Sequence, residues 1–83
     1  MSKIADSVRS THGQDGAVVL DVRQGKIYSL NLVGSKILEL VEAGISETDI
    51  VDHISHEFGV NHDVAHHDTH KFIQQLQKME LLE

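Results

Sequence analysis

The apolar positions of the chain change spacing near residue 31. Up to that point they form short runs of strand length, bounded by the turn signals Gly13-Gln14-Asp15-Gly16 and Gln24-Gly25. Beyond it they recur every three or four residues, the helical period. The first region therefore predicts three short antiparallel strands, near residues 7–12, 17–23 and 26–31. For the second turn, a two-residue loop would set Leu20 against Ser29 and Val19 against Leu30, mixing apolar and polar across both faces. A three-residue loop, Arg23-Gln24-Gly25 with Gly25 in the left-handed region, instead sets Val22, Leu20 and Val18 against Lys26, Tyr28 and Leu30. That register collects one apolar face, and it is the one the pattern predicts.

The second region predicts three helices. Asn31 is placed to cap a helix over 32–43 that stops at Gly44, with Val33, Ile37, Leu40 and Val41 on one stripe. Ser46 caps the next, with Asp49 at the capping-box position and Ile45 placed to staple onto Ile50. That helix carries Val51, Ile54 and Phe58 and stops at Gly59. Asn61 opens a third helix of about 62–79, which carries Phe72, Ile73, Leu76 and Met79. Three strands followed by three helices make an α+β fold. The tight turn Phe58-Gly59-Val60-Asn61 between the last two helices marks a helix-turn-helix, winged by the strands.

Composition narrows the function. Eighty-three residues are read as one domain, 1–83, with a loose lead-in over 1–6. Such a chain builds a modest core but not an enclosed catalytic cavity as well. There is no cysteine, so neither disulfides nor thiolate metal sites hold it together. No apolar run approaches a membrane span of about 20 residues, and the start MSKIADSV lacks a secretory apolar stretch, so a cytoplasmic protein is expected. The 7 Lys+Arg against 13 Asp+Glu give a net charge of -6, which argues against nucleic acid as a partner.

The ordered motifs resemble the PqqD-like proteins, also described as RiPP recognition elements. The resemblance runs from Gly16 to Leu82. It is carried by AVVLDVRQGKIYSLN, with its hydrophobic-LD and G-x-x-Y-x-LN cadence, then by VGSKILEL, ETDIVDHISHEFGV and DTHKFIQQLQKMELL, the last with its D-x-x-x-F-hydrophobic-x-x-L pattern. The chain departs from the family at Leu38, where an aromatic residue is common, and at Glu80, where glycine is common. It also carries Ala65 and Thr69 where bulkier aliphatics are usual.

The resemblance implies that the leader of a ribosomally made precursor peptide adds as a strand to the third strand's edge. There it would lie against the third helix and be presented to a modifying enzyme, such as a radical-SAM enzyme or a leader peptidase. By position, the implied peptide-binding residues are Lys26, Ile27, Tyr28, Ser29 and Leu30 on the strand, with Ala65, His66, Asp68, Thr69, Phe72 and Ile73 on the helix. Two helical stripes are candidates to face the peptide, Ala65-Thr69-Phe72-Leu76 and His66-Thr69-Ile73.

No catalytic constellation stands out. The chain has no thiol, no glycine-rich phosphate loop and no Gly-x-Ser-x-Gly elbow, so no enzyme activity and no cofactor are expected. His62, His66 and His70 share helical spacing, and His53 and His56 form a second pair, but the spacing supplies no full ligand set for a metal. Two other readings share the architecture. A winged helix-turn-helix DNA-binding regulator would have to read DNA with a third helix that carries Lys71 and Lys78 against Asp63, Asp68 and Glu80 and contains no arginine. A dimeric scaffold would pair the edge strand with its own copy, so a monomer or weak homodimer is expected.

Overall fold

The computed structural model describes residues 3–83. Met1 and Ser2, part of the expected lead-in, lie outside the described residues. From Lys3 onward the backbone is tied to the C-terminus: Ile4 pairs with Leu82, the Ala5 amide donates to the Leu81 carbonyl at 2.9 Å, and the Glu83 amide to the Lys3 carbonyl at 2.7 Å. Three antiparallel strands follow, β1 (Val8–Gly13), β2 (Gly16–Asp21) and β3 (Lys26–Leu30), in the spatial order β1-β2-β3. Then come helices α1 (Leu32–Glu42), α2 (Glu47–Phe58) and α3 (His62–Lys78). The architecture is the α+β arrangement expected from the pattern.

The helix starts sit where the capping residues place them. The Asn31 side chain accepts from the Gly34 amide at 2.8 Å, Ser46 Oγ from the Asp49 amide at 3.3 Å, and Asn61 from the Asp63 amide at 2.7 Å. Each cap satisfies a backbone donor that the first turn leaves without a helical partner.

The β2–β3 register differs from the expected one by a residue. Asp21 pairs with Lys26, Val19 with Tyr28 and Ala17 with Leu30, so the loop is four residues, Val22 to Gly25. Gly25 is left-handed, with φ +66. The shift reverses the faces of β2: Ala17, Val19 and Asp21 turn inward, and Val18, Leu20 and Val22 turn to solvent. The cause is Asp21, which is 1% exposed. Its carboxylate accepts from the Gln24 amide at 3.1 Å, from the Gln24 side chain and from the Ser7 hydroxyl at 3.4 Å, while the Gly25 amide donates to the Asp21 carbonyl at 2.8 Å. A carboxylate satisfied in this way can be buried, and the wider loop follows. At the other end of β2, Gly16 has φ +141 and lies against the carbonyl of Leu30, where a Cβ would approach within 1.9 Å. Only glycine lets the two strands meet there.

The core has two parts. Ile37, Leu40, Val41, Ile50, Val51, Ile54 and Ala65 join α1, α2 and the start of α3. Val8, Val19, Leu38, Leu76 and Leu81 fasten the sheet to α1 and the end of α3. Phe72 packs against both. On β1, His12 bonds Ser35 Oγ and Glu42 Oε1 of α1, each at 2.8 Å, and Ser10 Oγ donates to Glu42 at 2.6 Å, clasping strand to helix. No helix among the described residues is long and apolar enough to cross a membrane.

Candidate functional site

β3 forms one edge of the sheet, and among the described residues its outer side has no strand beside it. Next to that edge lies a groove of about 450 Å³ between the end of β3, the start of α1 and the outer side of α3. Val33, Ile37 and Phe72 form an apolar floor, and Ser29, Asn31, Asp68, Lys71 and Gln75 bring polar groups to it. At the base of the groove the ring of Phe72 reaches across to Gly34 of α1. A Cβ on that residue would come within 3.1 Å of the Phe72 ring.

The expected site residues divide among three directions. Ser29, Leu30, Asp68 and Phe72 meet at the groove. Lys26, Ile27 and Tyr28 continue the same strand, with Ile27 71% exposed and Tyr28 packed on the core. Ala65 and Thr69 are buried within the helical layer. Ile73 lines a smaller cavity on the opposite flank of α3, with Val41, Ile45 and Ile50. His66 stacks on His70, ring centroids 6.2 Å apart, and His70 bonds Glu47 of α2 at 3.0 Å, so both lie on the flank toward α2. The wall that faces β3 is neither candidate stripe but Asp68-Lys71-Phe72-Gln75, offset by one position from the buried row. Lys71 and Gln75, together with the cap Asn31 and Val33, Gly34 and Ile37 of α1, line the groove without having been named as binding residues from the sequence. Their signal was present as helical spacing: Asp68, Lys71, Phe72 and Gln75 fall at i, i+3, i+4 and i+7.

The histidines of α3 do not converge. His62 bonds Asp52 at 3.0 Å, as His70 bonds Glu47, and among the described residues no group of three or more His, Asp or Glu is placed to hold a metal ion. These pairings also set the electrostatics of the helix-turn-helix face. Its exposed surface presents Asp52, Asp63 and Asp68 and lacks arginine, a poor match to phosphates.

Comparison with known proteins adds three findings. A family model described as coenzyme PQQ synthesis protein D (PqqD) matches residues 16–82. Among curated proteins no relative matches the chain. Two solved structures match over nearly their whole length. TbiB1 in complex with the TbiA(beta) leader peptide is 38% identical, with 98% of this chain and 94% of that one covered and a TM-score of 0.90. A lasso peptide synthetase B1 complexed with a leader peptide is 21% identical, with 99% and 96% covered and a TM-score of 0.88, a likeness of fold.

Proposed function

The chain belongs to the PqqD family, and from that membership and the open edge of β3 we propose that it binds the leader of a ribosomally synthesised precursor peptide by strand addition. The observation that carries this reading is the coincidence of an unpaired strand edge with an apolar-floored groove beside it. An extended peptide laid along β3 satisfies its own backbone and that of the edge, while alternate side chains drop toward Phe72, Val33 and Ile37. The backbone bonds contribute about 1 kcal/mol each, so four or five of them fall short of the roughly -8 kcal/mol of a micromolar complex. Side chains in the groove must supply the remainder. The leader peptide bound by TbiB1 supports the same class of ligand.

On this reading the protein is a non-catalytic cytoplasmic adaptor that holds the leader while a partner enzyme, of the radical-SAM or leader-peptidase type, acts on the precursor. β3 is only five residues long and begins with Lys26, features that disfavour pairing with a second copy, so on this reading it works as a monomer or weak homodimer. Fluorescence anisotropy of a labelled leader, followed by turnover of the precursor with the partner enzyme, tests the proposal. Saturable binding, together with faster processing of leader-bearing precursor but not of leaderless core, is expected. A leader that does not bind, or a rate unaffected by the protein, would refute it.

A further inference from the structure

The groove runs on into a cavity along the outer side of α3, with Lys71 and Gln75 lining both, and the two differ in charge at their far ends: Asp68 lines the first and Lys78 the second. Among the described residues, Lys3 and Lys36 are held in ion pairs with Glu83 and with Glu39 and Glu57. Of the other five Lys and Arg side chains, Lys26, Lys71 and Lys78 border the edge of β3 and the outer side of α3. β3 and α3 run in opposite directions, because Gln24, just before β3, donates to the carbonyl of Met79, just after α3, at 3.2 Å. Lys26 and Lys78 therefore share one end. Asp68 lies at the other, near Asn31, and Asp15 joins it from the β1–β2 turn, which borders a cavity reaching Ser29 and Leu30. Lys71 stands between, next to Phe72. Glu80, the nearest acid in sequence to Lys78, turns away toward Arg23, Asp21 and Glu83.

The spacings on strand and helix agree. From Asp68 to Lys78 the helix rises about 15 Å, and four residues of extended peptide span about 14 Å. Phe72 lies about 6 Å from Asp68, close to the two-residue repeat of a strand at about 7 Å. Residues p, p+2 and p+4 of an added strand point to the same side. They would meet Asp68, the apolar floor and Lys78 in turn.

We propose that the groove and its continuation along α3 select a charge-polarised leader segment, with a basic residue beside Asp68, an apolar anchor two residues on over Phe72, and an acidic residue two further on beside Lys78. This rests on the leader-binding reading and specifies its ligand. Added antiparallel to β3, the pairing used throughout this sheet, the segment reads Lys/Arg-x-apolar-x-Asp/Glu from N- to C-terminus. The two charge matches make the order and direction of the bound strand unambiguous, which a backbone edge alone does not.

The test is selection from a displayed library of randomised 20-residue peptides, using the full chain and its D68K/K78E variant as baits. Asp68 and Lys78 are both exposed, and the double exchange leaves the net charge unchanged. The expected result is an apolar anchor flanked by base and acid in the stated order on the wild-type protein. On the variant the order reverses, each matched charge being worth about a two- to fivefold change in affinity. Anchored peptides with no charge preference, or with the same order on both baits, would overturn the proposal and leave the leader-binding reading standing. A wild-type bait that enriches no peptide would sink both.

Discussion

Two single residues carry local costs that substitution would relieve. Glu80 holds φ +59 just after α3, where the chain turns back and the Leu81 amide reaches the Leu76 carbonyl at 2.9 Å. A side chain in that left-handed position is strained and glycine is not. Glu80→Gly is expected to stabilise the fold by about 1 kcal/mol, read from the midpoint of urea unfolding. Thr69 is fully buried on α3, and its hydroxyl has no hydrogen-bond partner. Thr69→Val keeps the shape and removes the unpaired group, so a gain of about 1 kcal/mol is expected, whereas Thr69→Ser should show none. Asp21 is the opposite case. Burial raises its carboxyl pKa, but hydrogen bonds from the Gln24 backbone and side chain, the Arg23 backbone and the Ser7 hydroxyl outweigh it and hold the group below the usual carboxylate range. A pKa lowered by folding stabilises the native state above the unfolded value of about 3.9 and loses that contribution as pH falls through the folded value. Asp21→Asn should therefore weaken the protein at pH 7 and flatten the acid limb of its stability profile, measured by denaturation from pH 7 to pH 2.

At the scale of elements, what was legible in the sequence is what local chemistry decides. Asn31, Ser46 and Asn61 announce the helix starts because each must accept from the first turn, and Gly59 marks the end of α2. The strand register was not legible in the same way. It depends on whether Asp21 faces water or core, and only the arrangement of Ser7, Gln24 and the turn, with Ser7 fourteen residues away in sequence, settles that. The same limit applies to the groove. Helical periodicity finds the buried row Ala65-Thr69-Leu76, but which neighbouring row faces β3 is fixed by how α3 lies across α1. Gly34 is where the Phe72 ring of α3 meets α1. Gly34→Ala adds a methyl group 3.1 Å from Phe72 while improving helix propensity by up to about 1 kcal/mol. Stability should change by less than about 1 kcal/mol while peptide affinity falls severalfold, as the ring is pushed into the groove. Equal affinity in a direct titration would mean that the floor at Phe72 is not where the peptide sits.

Viewed as a whole molecule, the protein has two sides to its sheet. The inner face meets α1 and α3 in the core, and the outer face leaves Val18, Leu20, Val22 and Ile27 open to solvent. The edge of β3 lies between them, so a strand added there extends both faces at once. A regulator built on the same frame would instead use the exposed N-terminal half of α3, where acids face outward. The two accounts differ in which amides must respond to a ligand. The decisive measurement is an NMR titration of isotope-labelled protein with a synthetic leader peptide, and separately with a short DNA duplex. The account predicts that the amides of Lys26 to Leu30 and of Asp68 to Gln75 shift and saturate with the leader and ignore the DNA. Shifts confined to the start of α3 on adding DNA, with β3 unmoved by peptide, would contradict it.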